Sequence, residues 1–219
     1  MDKVLNIGGG VIGLSIAREL RKKGIREITI LERGEIGREA SYAAGGMLAV
    51  HAETDKSGDF FDFCNDSLKL YSDFAASLLD ETGVNIELDK AGTLYLAFTE
   101  NDVREIRERY SWQKKAGLDV QHLSAKEISK LEPFVSPDVL EGLFFPNDWQ
   151  VENRQLLYAL RRFAELNQIE LIENTEVARI LAENGKIIGV ETNSQNYFAD
   201  LVILATGAWT SLIKTDGFS

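Results

Sequence analysis

Glycine occupies the first, third and sixth positions of Gly8-Gly9-Gly10-Val11-Ile12-Gly13, a G-x-G-x-x-G spacing. Each of these glycines has its own task beside a phosphate. Gly8 permits a tight turn, Gly10 lets the backbone approach a pyrophosphate, and Gly13 lets the following helix pack closely on the preceding strand. The N–H groups at the start of that helix then face the phosphates. Nineteen residues beyond Gly13, Glu32 ends a second apolar run, where a carboxylate can accept hydrogen bonds from a ribose diol. A ligand-free turn and a solvated surface glutamate are the plain alternatives. The two features together, at this spacing, favour an adenine dinucleotide, without separating NAD from FAD.

These residues need a strand before the turn and a helix after it. Val4 to Ile7 supplies the first, and Val11 to Gly24 reads as the second, with Ile12, Ile16 and Leu20 at helical spacing. Gly24 suits the C-cap, and Arg21, Lys22 and Lys23 suit the negative end of the helix dipole. Ile28 to Leu31 completes a βαβ unit. A helix is expected over about 60–82, with Leu68, Tyr71, Phe74, Leu78 and Leu79 inward and Gly83 ending it. Between Glu87 and Phe145 the pattern changes to a strand at 92–98, a charged helix at 101–116, a short helix at 126–131 and a strand near 143–145. This reads as an inserted domain, with Pro133, Pro137 and Pro146 at its far boundary. Beyond it come a helix at 153–166 and β-type runs at 169–172, 176–181, 186–192 and 201–204, the last leading into Ala205-Thr206-Gly207.

Composition limits the partners. The 219 residues carry 24 Lys+Arg against 35 Asp+Glu, a net charge of −11 that argues against nucleic acid. The acid excess lies after His51, since residues 1–50 hold 8 basic and 6 acidic side chains and the remainder 16 and 29. A hydrophobic content of 44% describes a globular chain, not a disordered one. Cys64 stands alone, which rules out an intrachain disulfide and suits a small buried apolar role. No apolar run reaches the roughly 18 residues of a membrane span. The glycine-broken start does not resemble a signal peptide, so a cytoplasmic location without stable membrane insertion is expected.

The segment Gly37 to Leu48 is rich in small residues, with Ser41 as a hydrogen-bonding handle; composition alone makes it a packed turn. Taken with the glycine motif, Ile30-Leu31-Glu32-Arg33-Gly34, the continuation His51-Ala52-Glu53 and Phe60-Phe61-Asp62-Phe63, it resembles the N-terminal half of the FAD-dependent D-amino acid oxidase family. The likeness is strongest to the glycine-oxidising members that serve thiamine biosynthesis. It extends through Gly92-Thr93-Leu94 and Leu131-Glu132-Pro133 to Ala205-Thr206-Gly207-Ala208-Trp209.

This resemblance implies an α/β fold: a Rossmann-like FAD-binding domain in two segments, 1–84 and 147–219, with an inserted, partly complete α+β substrate domain at 85–146. It implies FAD as the cofactor. Val11 and Ile12 would border the pyrophosphate, and Glu32 and Arg33 the adenosine ribose. Ala40, Ser41, Gly45, Gly46 and Met47 would line the diphosphate and flavin, Val177 would contact the adenine side through its backbone, and Gly207 belongs to the closing glycine turn. Met47 and Ala49 are the candidates for the substrate side of the flavin. Glu39 and Ala40 stand where relatives often place hydroxyl residues on the pyrophosphate, which leaves more of that task to Ser41. The contact of Arg33 stays open between adenine stacking and phosphate neutralisation.

The implied reaction is oxidation of glycine, or of another small or D-amino acid or sarcosine, to a keto acid, ammonia and hydrogen peroxide, with molecular oxygen as the acceptor. Relatives anchor the substrate carboxylate with Arg and Tyr side chains from a later part of the chain. Nothing in this sequence matches those motifs, so it reads as an N-terminal portion whose isolated form would hold FAD weakly and not turn over. The alternatives are a flavin dehydrogenase passing electrons to a carrier, and a non-catalytic FAD-binding subunit requiring a partner chain; homo-oligomerisation is left open.

No catalytic residue is assigned. His51 is read as a hydrogen-bonded structural histidine and His122 as a surface residue. Trp112, Trp149 and Trp209 are read as packing residues, with Trp209 near the cofactor. Asp148, Glu152 and Asn153 form a polar cluster in sequence, and no metal-ligand spacing is found.

Overall fold

The computed structural model describes residues 3–215. In chain order its elements are β1 (Lys3–Ile7), α1 (Val11–Lys22), β2 (Glu27–Leu31), α2 (Ala40–Ala43), β3 (Met47–Leu48), α3 (Val50–Glu53) and α4 (Asp59–Thr82). Then come β4 (Thr93–Ala97), α5 (Glu100–Lys115), β5 (Gln121–Ser124), α6 (Ala125–Leu131), β6 (Glu141–Phe145) and β7 (Trp149–Gln150). The last part holds α7 (Asn153–Leu166), β8 (Glu170–Ile172), β9 (Val177–Glu183), β10 (Lys186–Thr192), β11 (Asn196–Phe198), β12 (Leu201–Leu204) and a 3-10 turn at Gly207–Leu212. The chain divides into two compact units. One comprises Met1–Gly45, Ala76–Ile86 and Glu152–Ser219; the other comprises Gly46–Ala75 and Glu87–Val151.

The first unit is built on a parallel sheet in the order β12-β1-β2-β8. Parallel strands are covered on both faces and so read as continuous apolar runs, as Val4 and Leu5 in β1 and Ile28, Ile30 and Leu31 in β2 do, all buried. A second, antiparallel sheet β11-β10-β9 contributes Val177 and Val190 to a core shared with Leu5, Ile7 and Leu31. Helix α7 lays Leu156, Leu160 and Phe163 inward, and Glu152 caps it by accepting the Gln155 amide.

Helix α1 departs from the expected stripe. Ile12 is 60% exposed, and the buried face is Gly13, Leu14, Ala17 and Arg18. Gly13 sets this rotation: a Cβ there would lie 2.0 Å from the Gly8 carbonyl oxygen, so only the glycine can face the strand. Arg18 is tolerated inside because Glu81, Glu19 and Ser77 accept its hydrogen bonds at 2.6–2.7 Å and the Phe163 ring lies beneath its guanidinium. Burial alone would raise the Glu81 carboxyl, but hydrogen bonds from Arg18, Ser77 and Lys22 outweigh it and hold the group below its ordinary 4.5.

The second unit contains the antiparallel sheet β4-β6-β5 and the two-residue ladder β3-β7. Its core joins Ala49 and Ala52 to Ala97, Val103, Ile106, Leu143 and Phe145. Thr99 and Asp102 form a reciprocal capping box at the start of α5. Ser124 and Glu127 do the same for α6. Cys64 is half-buried, not buried as expected, and Phe60 and Phe63 are exposed, because α4 turns Phe61 and Leu68 inward.

His122 lies in β5, ahead of the helix, and pairs with Glu141. Burial raises the Glu141 carboxyl, but Arg107 and His122 outweigh that and hold it below the usual range. Among the described residues no helix is long and apolar enough to cross a membrane.

Candidate functional site

The glycine turn leaves β1 at Ile7 and enters α1 at Val11, as the spacing requires. A Cβ on Gly8, whose φ is +106°, would lie 2.4 Å from the Ala205 carbonyl oxygen, so the turn and the end of β12 touch backbone to backbone. Gly10 caps α1 without any side-chain hydrogen bond, which leaves the positive end of the helix open to an anion. Ser41 Oγ accepts the Val11 amide at 3.1 Å and ties the 40–43 turn to that helix start. Asn153 Nδ2 donates to the Ser41 and Tyr42 carbonyls and secures the same turn from α7.

Glu32 is buried, and its carboxylate shapes the turn. Oε2 accepts the Gly9 amide at 2.8 Å, and Oε1 accepts the Gly34 amide at 3.0 Å. An ionised carboxylate offers about four lone-pair positions, so roughly two remain for a ligand's hydroxyls.

Gly8, Gly10, Val11, Ile12, Glu32, Arg33, Ala40, Ser41, Val177 and Gly207 all line one cavity of about 240 Å³ in the first unit. Gly13 lies behind it as a packing residue, and Gly45, exposed in the same unit, is not part of the lining. Gly46, Met47 and Ala49 belong to the second unit. There Gly46 takes a φ of +75° and its carbonyl accepts the Val151 amide, Met47 is exposed, and Ala49 is buried in the core.

The wall also includes Glu39, Thr175, Glu176, Trp209, Leu212 and Ile213. Of these, Trp209 was legible from its place after the Ala205-Thr206-Gly207 turn. Thr175 and Glu176 carry no local signal, because only the pairing of β2 with β8 brings the start of β9 to this edge. Arg33 stacks on the Trp209 ring at 3.9 Å and pairs with Glu39 at 2.9 Å.

The sequence cluster Asp148, Glu152 and Asn153 separates into three tasks. Glu152 caps α7 and Asn153 holds the 41–42 turn, as above. Asp148 is fully buried in the second unit and caps α3: Oδ1 accepts the His51 amide at 2.9 Å and faces His51 Nδ1 at 2.6 Å, while Oδ2 accepts the Ala52 amide at 2.8 Å. Arg109 donates to the Ala52 and Thr54 carbonyls and Gln113 to that of His51. His51 is thus the structural, hydrogen-bonded residue the sequence reading assigned. Among the described residues no group of three or more His, Cys, Asp or Glu side chains could hold a metal ion.

The cavity fits an adenine dinucleotide on three counts: a helix start whose N-cap, Gly10, brings no side chain, glycines at which a Cβ would collide with backbone, and a buried carboxylate with spare acceptor capacity. Together with the parallel sheet, this defines a Rossmann-like dinucleotide-binding protein. The sequence profile of the FAD dependent oxidoreductase family matches residues 3–218. The chain belongs to this FAD-dependent family.

It is 36% identical to the glycine oxidase of Bacillus licheniformis over 94% of this chain and 54% of that protein. It is 35% identical to the bifunctional protein ThiO/ThiG of Synechocystis over 94% of this chain and 30% of that protein. The crystal structure of glycine oxidase from Geobacillus kaustophilus superposes with a TM-score of 0.91 at 32% identity, covering 96% of this chain and 56% of the other. The chain therefore spans about half the length of the glycine oxidases it matches.

Proposed function

We propose that this chain is the cofactor-holding portion of an FAD-dependent oxidase acting on glycine or another small amino acid. The observation that carries the proposal is the single cavity that gathers the glycine turn, Glu32 and Ser41, in a chain whose relatives include glycine oxidases. The name ThiO/ThiG of one relative supports a role in supplying thiazole synthesis.

In this reading the start of α1, at Val11 and Ile12, faces the diphosphate, Ala40 and Ser41 flank it, and Glu32 takes the ribose diol. Val177 and Gly207 border the adenosine side. Gly45, Gly46 and Met47 are the candidates to follow the flavin and Met47 to approach the substrate, whereas Ala49 is packed into the core of its own unit and is not available for that task. The first compact unit is read as the cofactor domain and the second as part of the substrate domain, with 46–75 falling in the second unit. A cytoplasmic location accompanies this reading.

A bound FAD would supply the two-electron oxidation of the amine-bearing α-carbon, with molecular oxygen as final acceptor, so that the overall reaction would be amino acid, water and oxygen to keto acid, ammonia and hydrogen peroxide. In this reading the side chains of this portion bind and orient the cofactor.

The test is aerobic turnover of glycine by the complete protein. Peroxide, glyoxylate and ammonia released in equal amounts are the expected result. Turnover with a dye acceptor and none with oxygen would overturn the oxidase reading.

A further inference from the structure

Three carboxylates, Glu32, Glu39 and Glu176, line the dinucleotide cavity against one guanidinium, that of Arg33. The formal charge of the lining, three negative against one positive, is −2, yet the diphosphate of an adenine dinucleotide is itself an anion. The open start of α1 offers it a positive dipole end. The arginine is committed elsewhere: its flat face lies on Trp209 at 3.9 Å and its Nη2 donates to Glu39 Oε1 at 2.9 Å. Glu32 is committed too, to the Gly9 and Gly34 amides. Glu176 is exposed to solvent just before β9, which leaves Glu39 as the wall carboxylate that engages the guanidinium. It also immediately precedes the Ala40–Ala43 turn, where Ser41 reaches the start of α1.

The geometry points to Glu39 as a residue that limits cofactor affinity, with Arg33 acting as its counter-ion rather than as a ligand of the diphosphate. This inference rests on the FAD reading of the cavity. Its consequence is specific: the two charges offset each other at the ligand, so removing both leaves the affinity near that of the wild type. Glu39 is 49% and Arg33 32% exposed in their side chains, so solvent moderates the effect and salt screens it.

The test is calorimetric titration of the complete, flavin-free protein with FAD, ADP and adenosine, for the wild type, Glu39→Gln, Arg33→Gln and the double variant. Glu39→Gln should tighten ADP and FAD about 2–5-fold at low ionic strength, as expected for a partly exposed charge. The gain should shrink at high salt, and uncharged adenosine should bind unchanged. Arg33→Gln should weaken ADP about 2–5-fold, and the double variant should return to within about 2-fold of the wild type, since the two charges offset each other at the ligand.

Affinity for ADP that is indifferent to position 39, or weakened by Glu39→Gln, overturns the proposal. So does a double variant that binds ADP as weakly as Arg33→Gln alone, which would make Arg33 a direct ligand. Failure of the FAD reading looks different: the wild-type protein would take up neither FAD nor ADP, and the proposal would fall with it.

Discussion

Replacing Asp148 by alanine strikes the polar centre of the second unit. Three donors lose their acceptor: the backbone amides of His51 and Ala52 and the Nδ1 of His51, all now held at 2.6–2.9 Å. A hydrogen bond to a charged group contributes about 1.5–3 kcal/mol, so a straight sum is roughly 4.5–9 kcal/mol. Members of one network are not additive, and a buried donor left without an acceptor costs about 1–3 kcal/mol, which cuts the sum to about 3–5 kcal/mol. That lower range is the expected loss. It is a large part of the roughly 5–15 kcal/mol that separates folded from unfolded domains.

Urea unfolding of Asp148→Ala and of the milder Asp148→Asn measures the loss, with an unchanged slope confirming that the unfolded state is comparable. Amide exchange at both His51 and Ala52 should accelerate in Asp148→Ala, which removes both acceptors, whereas Asp148→Asn keeps one acceptor oxygen and should speed exchange mainly at the amide that faces its new NH2 group. His51→Ala, which removes one bond of the three, should cost about 1–3 kcal/mol, and the double variant less than the sum of the singles. A loss below about 1 kcal/mol for Asp148→Ala, or unchanged protection at these amides, refutes the assignment of Asp148 as the cap that holds this turn.

Gly13→Ala should lower the melting temperature and abolish FAD retention together, since the added Cβ would sit 2.0 Å from the Gly8 oxygen and 2.6 Å from Asn6 Nδ2; a variant that retains flavin at wild-type stoichiometry contradicts the packing argument. Glu81 has a folded pKa below its ordinary 4.5, so its contribution is present above that value and is lost as pH falls through the lower folded one. Urea titrations between neutrality and strong acid should show this as an acid limb that Arg18→Met flattens, and an unchanged limb in that variant would show that the Arg18–Glu81 pair is not its source.

The nucleotide half of the fold was legible because its signals are local. Glycines at 8, 10 and 13, an apolar run on either side and an acid at the end of the second run specify strand, turn, helix and strand without reference to anything distant. The bounds of α7, β10 and β12 were legible for the same reason, each being an unbroken periodic run.

What was missed depends on partners far away in sequence. The β3 and β7 pieces are two residues each and exist only as a pair. Ile12 looked like a core residue because its spacing with Ile16 and Leu20 is helical, but the contact between Gly13 and Gly8 rotates that edge outward. Asp148 looked like a neighbour of Asn153 because they are close in sequence, yet the donors that Asp148 accepts from, at 51–52, and the acceptors that Asn153 donates to, at 41–42, lie about a hundred residues earlier.

The double use of the Glu32 carboxylate bears on protein engineering. The oxygens that would greet a ribose also fasten Gly9 and Gly34 in place, so the loop arrives at its ligand already shaped and little ordering remains to be done on binding. The same economy makes the position hard to rewrite. Retargeting the site toward a phosphorylated ribose normally begins by removing this acid, and here that change would strand two backbone donors and loosen the turn before any new ligand was gained. A second substitution supplying those donors with another acceptor would have to come first.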